Sequence, residues 1–293
     1  MIDPTIRAPN TDDDQAARSR QFYQRGPTTV FACRHDTRFS YCLHVPGSFD
    51  QSPAEHRLIV AVHGSSRTMT ELRDGFAAFA EAHRCVVLAP LFPVGVAGDD
   101  NGEGFKYLIE GGTRYDLVLL HMIEEAGARL GSPLGAFFLF GFSGGAQFVN
   151  RFLLLHPAQL WGVSIAAPGS VTLLDDSRDY WVGTRNLRAL FGVAADRAAM
   201  GAVPVQLVVG GADDETWEIN YKPGRAGYMD GINDTGRTRI ERSRALHENL
   251  TAGGVASRLD VVPGAGHDWR RLMPATQDFC RELLTAMRAG AGR

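Results

Sequence analysis

The stretch Gly141-Phe142-Ser143-Gly144-Gly145 decides the fold that this sequence of 293 residues predicts. It follows an apolar run at residues 136–140 and precedes an amphipathic segment at 146–155, so the serine lies on a turn from a strand to a helix. Such a turn holds its central residue in a strained conformation and projects the side chain above the sheet. Gly141 and Gly145 lack a Cβ, which lets the strand and the helix approach closely. The pattern predicts a nucleophilic serine at a sheet edge.

Composition and charge limit the classes to which the protein can belong. With 44% apolar and 22% charged residues, the composition is that of an ordinary globular protein. A formal net charge of -3 without a polybasic stripe argues against nucleic acid as a partner. The sequence contains no run of eighteen apolar residues, so it predicts no membrane-spanning helix. The N-terminus lacks the basic start and apolar core of a secretory signal, so a cytoplasmic location is the expectation.

The cysteines do not predict a metal site or a disulfide. Cys33, Cys42, Cys85 and Cys280 include no C-x-x-C pair and have no histidine at metal-ligand spacing. We expect four buried, reduced thiols and no metal or organic cofactor.

Apolar runs and helical patterns alternate after residue 27. Strands are predicted at 28–33, 39–45, 58–62, 85–89, 136–140, 162–167, 205–209 and 259–262, and helices at 70–83, 115–130, 146–155, 239–250 and 269–288. The first two strands are close enough to be antiparallel, and the alternation that follows predicts a mostly parallel eight-stranded sheet with helices on both faces. Residues 1–27 are read as a polar arm, and 28–293 as one α/β domain.

Three loop segments interrupt this alternation. Residues 94–113 are predicted to form a long glycine-rich loop. Residues 170–202 and 214–238 are aromatic-containing insertions at the C-terminal ends of strands, where open α/β sheets bind ligands. Each insertion is predicted either as a small lid over the site or as a surface excursion with its own minor core. The lid is favoured for 170–202, and the two interpretations are even for 214–238.

His267 is the candidate general base. It lies in a glycine-rich loop between the last predicted strand and the last predicted helix. An unperturbed imidazole can accept and return a proton near neutrality. The chain order serine, acid, histidine places the base at this position.

The candidate acid follows the strand at 205–209, where Asp213, Asp214 and Glu215 are adjacent. A carboxylate there can accept the second ring N–H of His267, which fixes the tautomer and stabilises the imidazolium. Asp213 is preferred over Asp214, and Glu215 is the third choice. The two acids that do not bind His267 are expected to be exposed to solvent on the turn.

The candidate oxyanion hole is His63-Gly64-Ser65-Ser66, at the end of the strand at 58–62. The backbone N–H groups of Ser65 and Gly144 are expected to face the developing negative charge. His63 is expected to order the turn rather than act as a second base. For Arg67 two roles stay open: an anchor for a carboxylate on the substrate, or the favoured local pair with Glu71 at i+4.

The motifs His63-Gly64, Gly141-x-Ser143-x-Gly145, Gly210-x-x-Asp213 and His267, in this order at strand ends, resemble those of the α/β-hydrolase fold. The resemblance covers residues 28 to 288. The stretch His63-Gly64-Ser65-Ser66-Arg67, with Ala89-Pro90-Leu91-Phe92-Pro93, further resembles polyhydroxybutyrate depolymerase-like and feruloyl-esterase-like members. The large helical cap of many relatives is not evident in residues 170–202.

This resemblance implies a serine hydrolase that cleaves a carboxylic ester or a related acyl bond of a small molecule. An amidase or peptidase, a thioesterase and a C–C bond hydrolase would use the same triad. A non-catalytic binding protein on the same fold is the alternative from a different class. Dehalogenase and epoxide hydrolase chemistry are disfavoured, because those relatives carry an aspartate where this chain has Ser143. The sequence does not distinguish a monomer from a homodimer.

Overall fold

The computed structural model describes residues 18–19, 23–225 and 227–291, so most of the predicted arm at 1–27 lies outside the described residues. The strands are β1 (Gly26–Ala32), β2 (Ser40–Val45), β3 (Arg57–Val62), β4 (Cys85–Leu91), β5 (Ile109–Glu110), β6 (Thr113–Arg114), β7 (Phe137–Phe142), β8 (Leu160–Ala166), β9 (Val205–Gly210) and β10 (Ser257–Val262). The helices are α1 (Met69–Gly75), α2 (Ala77–His83), α3 (Tyr115–Leu130), α4 (Gly144–Leu155), α5 (Leu187–Phe191), α6 (Arg197–Gly201), α7 (Arg239–Ala252) and α8 (Trp269–Ala291). Short 3-10 turns lie at Phe49–Gln51, Pro53–Glu55, Gly104–Tyr107 and Pro157–Gln159.

Eight of these strands form one sheet in the order β1-β2-β4-β3-β7-β8-β9-β10. The pairs β1–β2 and β2–β4 are antiparallel, and every pair from β4 to β10 is parallel. This confirms the predicted mostly parallel, eight-stranded sheet. The parallel strands all end at one edge, so the loops that follow β3, β7, β9 and β10 meet there.

Apolar side chains on both faces of the sheet build the core. In β3, for example, Leu58, Val60 and Val62 belong to one buried cluster and Ile59 and Ala61 to the other. Successive side chains of a strand point to opposite faces, so a continuous apolar run requires cover on both. Helices α3, α4 and α7 cover the first face, and α1, α2 and α8 cover the second.

The helix predicted at 70–83 is interrupted, which is a correction to the sequence prediction. It forms two short helices, α1 and α2, that join at Phe76. Helix α8 accounts for the break, because the Gln277 side chain donates to the carbonyl oxygen of Gly75 at 2.9 Å. A Cβ on Gly75 would lie only 2.8 Å from the Trp269 ring, which leaves no room for a side chain there. Packing between helices distant in sequence therefore overrides local helical periodicity here.

Two of the predicted irregular segments contain short regular elements. The loop at 94–113 holds the small antiparallel pair β5–β6, and the insertion at 170–202 holds the five-residue helices α5 and α6. The four cysteines are buried and unpaired. None of the described helices combines the length and the apolar character needed to cross a membrane.

Candidate active site

Ser143 occupies a sharp turn between β7 and α4. Its φ of 55° and ψ of -111° lie in a region that side-chain-bearing residues rarely adopt. The backbone N–H of Ser143 donates to the carbonyl of Ala166 in the neighbouring strand at 2.8 Å, which holds the turn against the sheet. A Cβ on Gly141 would lie 2.2 Å from the carbonyl oxygen of Gly145, and one on Gly145 would lie 2.3 Å from that of Val62. Both glycines are therefore required for the turn.

His267 reaches Ser143 from the loop between β10 and α8. The Ser143 hydroxyl donates to Nε2 of His267 at 3.0 Å. The imidazole packs against the ring of Phe142, with centroids 4.6 Å apart, and its side chain is 27% exposed. The structure thus places an imidazole nitrogen within hydrogen-bond reach of the hydroxyl and leaves the imidazole partly exposed.

Asp213 completes this chain of hydrogen bonds. It follows β9, its side chain is fully buried, and its Oδ2 accepts from Nδ1 of His267 at 2.7 Å. A proton on Nδ1 leaves Nε2 free to accept from Ser143. The side chains of Asp214 and Glu215 are exposed, and Asp213 is the acid of the three that is hydrogen-bonded to the histidine. The structure therefore brings together Ser143, His267 and Asp213, and leaves the other two acids outside.

Arg239 is a residue of this site that the sequence reasoning missed. It lies in the first turn of α7 and is almost fully buried. Its Nη1 donates to Oδ1 of Asp213 at 3.1 Å, and its Nη2 donates to Glu218 at 2.7 Å. The guanidinium thus occupies the Asp213 oxygen that the histidine does not use. No motif marks this arginine, because it comes from a helix 26 residues further along the chain.

The loop after β3 lies beside the turn at residues 141–145, which we call the elbow. Gly64 is so close to it that a Cβ there would lie 3.3 Å from both the Phe142 oxygen and the Ser143 Cβ. The Ser65 hydroxyl oxygen lies 3.3 Å from the position of a Cβ on Gly144. Gly144 is the first residue of α4, where a backbone N–H has no acceptor within the helix. Ser65 and Gly144 are therefore adjacent to each other and to Ser143.

His63 holds this loop in place from beneath. Its Nε2 accepts from the backbone N–H of Phe92 at 2.9 Å, and its Nδ1 donates to the carbonyl of Gly64 at 2.8 Å. These partners require the neutral ring with the proton on Nδ1. Complete burial lowers the pKa of His63 to about 4. A neutral, fully buried imidazole with both nitrogens occupied orders the turn and is unsuited to act as a base.

The expected pH dependence of stability follows from His63. Its pKa is lowered in the folded state, so between about pH 6.5 and pH 4 only the unfolded chain binds this proton. Above pH 6.5 this group does not reduce the free energy of unfolding. As the pH falls from 6.5 to 4, the free energy of unfolding decreases by on the order of 3 kcal/mol, because only the unfolded chain gains the proton.

Urea unfolding of the wild type and of His63→Gln, at about pH 7 and pH 4, measures this contribution. The variant is expected to be less stable at pH 7 and to lose less stability on acidification, since glutamine does not titrate. Because the two proteins share every other titrating group, the difference between their losses of stability reports the effect of residue 63 alone. An identical loss of stability in both proteins would contradict the role assigned to His63.

Arg67 does not form the ion pair with Glu71 that the sequence favoured. It donates to the carbonyl oxygens of Ser65 at 2.6 Å, Gly102 at 2.6 Å and Phe92 at 3.2 Å. Glu71 instead pairs with Arg270 at the start of α8. The favoured prediction was wrong because Arg67 has a φ of 57°, outside helix α1, so that i and i+4 do not lie on one helical face.

Ser143 lines two clefts. A larger one of about 390 Å³ is bordered by Ser66, Glu71, His267 and Asp268. A smaller, polar one of about 40 Å³ is lined by Ser65, Glu103, Lys106, Gln147, Gly169, Glu218, Ile219, Tyr221, Arg225 and Arg239. Cavities of about 690 and 670 Å³ elsewhere on the molecule are not lined by Ser143 or His267.

The two insertions contribute differently to these clefts. Residues 218, 219, 221 and 225 of the insertion at 214–238 line the small cleft. Tyr180 and Phe191 of the insertion at 170–202 are buried in the core, and no residue of this insertion lines either cleft. Among the residues that the structure describes, no three His, Cys, Asp or Glu side chains gather as a metal site.

No family model and no curated protein matches the sequence. Solved structures do resemble it. The poly(3-hydroxybutyrate) depolymerase LpqC from Bordetella parapertussis is 21% identical with a TM-score of 0.69, covering 91% of this chain and 93% of its own. Poly(aspartic acid) hydrolase-1 from Sphingomonas sp. KT-1 is 19% identical with a TM-score of 0.66, covering 87% and 98%. A ferulic acid esterase is 13% identical with a TM-score of 0.59, covering 88% and 96%. The chain thus has the α/β-hydrolase fold that its motifs predicted.

Proposed function

We propose that this protein is a serine hydrolase that cleaves a carboxylic ester, or a related acyl bond, of a small molecule. One observation carries the proposal: Ser143, His267 and Asp213 form a continuous chain of hydrogen bonds at 3.0 and 2.7 Å beside two clefts. A nucleophile, a base within reach and a group that orients the base are the parts that acyl transfer requires.

In the first half of the reaction, Oγ of Ser143 attacks the carbonyl carbon and its proton moves to Nε2 of His267. Asp213 holds the imidazole and stabilises the imidazolium that forms. The proton then passes from Nε2 to the departing oxygen, so that the alcohol leaves and the acyl group stays bonded to Ser143. His267 lines the larger cleft, which suits departure of the alcohol on that side.

The backbone N–H groups of Ser65 and Gly144 would bind the oxygen that becomes negative in the tetrahedral intermediate. The strained elbow exposes the second donor, and the His63 hydrogen bonds hold the loop that carries the first. Fixed donors need no reorganisation as charge develops, and a single donor of this kind typically contributes about 10²–10³ in rate.

In the second half, water attacks the acyl-enzyme. His267 accepts a proton from the water and returns it to Oγ of Ser143, which releases the carboxylic acid and restores the enzyme. The partial exposure of His267 gives water a path to the site.

The choice of an ester over the other acyl bonds is supported by the names of the similar structures. They include a depolymerase of poly(3-hydroxybutyrate), a thermostable esterase and a ferulic acid esterase. At 13–21% identity they share the fold with this chain, so the activity itself is inferred from the site. The cytoplasmic location expected from the sequence stays a prediction.

A fluorophosphonate probe tests the proposal. The activated serine displaces fluoride from phosphorus, so we expect stoichiometric labelling of the protein and mass-spectrometric assignment of the label to Ser143. Hydrolysis of short p-nitrophenyl esters is expected to stop in parallel with labelling. A folded protein that takes up no label would favour the non-catalytic alternative.

A further inference from the structure

We propose that the small cleft beside Ser143 binds an acyl group that ends in a carboxylate, so that the preferred substrates are half-esters of short dicarboxylic acids. The proposal rests on the proposed function, and it specifies which acyl group that function takes. His267 lines the larger cleft and does not line the small one, so we assign the acyl group to the small cleft. The charge and the size of this cleft decide the argument.

Cationic side chains form much of the cleft wall. Lys106, Arg225 and Arg239 line it, and the carboxylates among the lining residues are Glu103 and Glu218. Lys106 comes from the 3-10 turn that precedes β5, and Arg225 from the insertion at 214–238. The first lies deep in the cleft and the second at its exposed rim.

Lys106 is placed beside the reacting centre. Its Cε lies 2.9 Å from the position of a Cβ on Gly144, the residue that follows the nucleophile. The ammonium group donates to both oxygens of Glu103 at 2.7 Å, which leaves its third N–H for another acceptor. Its side chain is only 7% exposed, so a ligand in the cleft meets this charge with little water between them.

Arg239 and Arg225 also retain donors. The buried Nε of Arg239 has no hydrogen-bond partner among the described residues, although both of its terminal nitrogens are bound. Arg225 donates through Nη1 to the backbone oxygen of Glu218 and lies over the ring of Tyr221. Arginine and lysine donors of this kind suit a carboxylate better than a neutral oxygen.

Three further arginines lie directly behind the wall. Arg67 donates to the carbonyl of Ser65, Arg151 to the side chain of Gln147, and Arg242 to the carbonyl of Gly169, each a lining residue. All their other hydrogen-bond partners are neutral as well, namely Phe92, Gly102, Lys106 (its carbonyl), Ser170, Thr172, Asn233 and Gly236. Burial lowers the pKa of Arg242 to about 10 and that of Arg67 below its usual value, and both stay protonated near neutrality.

Cations around the small cleft therefore outnumber carboxylates, even when Asp213 is counted. In a weakly hydrated cleft such charges produce a positive potential that water screens poorly. A carboxylate on the bound acyl group would supply the missing negative charge. Its oxygens would accept hydrogen bonds from the free N–H groups of Lys106, Arg225 and Arg239. A neutral or aliphatic acyl group would leave the buried donors of Lys106 and Arg239 unpaired.

The cleft volume limits the length of this group. About 40 Å³ is roughly three times the space that one buried water needs, so a substituent of about three or four non-hydrogen atoms fits. The –CH₂–COO⁻ group of a malonyl half-ester has this size. Monoethyl malonate is therefore the probe of choice.

The experiment compares ethyl esters of equal size but different charge. Monoethyl malonate carries the carboxylate, ethyl malonamate replaces it with a neutral amide, and ethyl isovalerate replaces it with an isopropyl group. We expect kcat/KM for monoethyl malonate to exceed that for the other two by about tenfold or more, measured by titration of the released acid. The carboxylate makes the ester carbonyl less electrophilic than the amide does, so intrinsic reactivity opposes the expected order of monoethyl malonate and ethyl malonamate.

Variants of the cationic residues test their assignment. Lys106→Gln is expected to lower the ratio of kcat/KM for monoethyl malonate to that for ethyl isovalerate by about 10- to 100-fold. Arg225→Gln, at the exposed rim, is expected to lower it less and carries little risk to folding. The matched control is Lys222→Gln, an exposed lysine that does not line the cleft, which is expected to leave the ratio unchanged.

The outcomes separate this proposal from the proposed function. Fluorophosphonate labelling of Ser143 with equal or faster hydrolysis of the neutral esters would overturn the carboxylate site and leave the serine hydrolase standing. An unchanged ratio in both Lys106→Gln and Arg225→Gln would also overturn it. If the esters turn over too slowly to measure, monoethyl malonate is expected to slow labelling more than ethyl malonamate does, and equal protection overturns the proposal. A protein that takes up no label overturns both.

Discussion

Ser143→Ala is expected to abolish fluorophosphonate labelling and to lower kcat/KM for short esters by about 10⁴-fold or more. The alanine removes the only atom that can form the acyl-enzyme at the elbow, while the backbone of the turn is fixed by Gly141, Gly145 and the hydrogen bond to Ala166. Residual activity would come from the oxyanion donors and from binding alone. The measurement is steady-state hydrolysis together with thermal unfolding, which checks that the variant is folded.

A serine at the opposite end of the same strand provides the control for this variant. Ser132 lies in the turn that precedes β7, far from the edge where Ser143 ends it. Ser132→Ala is expected to retain labelling and activity within about twofold, because the half-buried Ser132 lines neither of the clefts at Ser143. Substantial ester hydrolysis by folded Ser143→Ala would show that another group performs the reaction.

Asp213→Asn is expected to lower kcat by on the order of 10³–10⁴-fold, whereas Asp214→Asn is expected to lower it by less than about twofold. The asparagine amide can donate to Nδ1 of His267, which favours the tautomer with its proton on Nε2, and that tautomer cannot accept from Ser143. Asp214 is exposed and does not contact the histidine, so its amide changes only the solvated turn.

These two substitutions are closely matched. Each replaces one carboxylate oxygen by an amide nitrogen, and the two positions are adjacent in one loop. Asp213 also binds Arg239, so unfolding by urea must be measured for both variants. A large loss of kcat in Asp214→Asn with little loss in Asp213→Asn would contradict the assignment and would require a different loop conformation during turnover.

Much of the fold could be predicted from local patterns. Continuous apolar runs such as 58–62 and 205–209 indicate strands buried on both faces, and the structure has β3 and β9 there. Local patterns failed where a distant element intervenes. The predicted helix at 70–83 is interrupted because Gln277 and Trp269, both from α8, bind and cover Gly75.

The same division holds within the candidate site. Ser143 and His267 could be identified because each has a short local context, a glycine-flanked turn after a strand and a glycine-rich loop before the last helix. Arg67 and Arg239 could not be assigned in this way. The partners of Arg67 at residues 92 and 102, and the contact of Arg239 with Asp213, join segments that only folding brings together.

The sequence by itself determined the α/β-hydrolase fold and the candidate nucleophile and base, because strand periodicity, a glycine-flanked elbow and motif order are written in contiguous residues. The sequence preferred Asp213 over Asp214 as the candidate acid, but only the tertiary structure shows that Asp213 lies within hydrogen-bond distance of His267. Only the tertiary structure assembled the cationic wall of the small cleft. Its lysine and arginines, together with the arginines behind them, come from segments between residues 67 and 242, so their proximity arises in space and not in sequence.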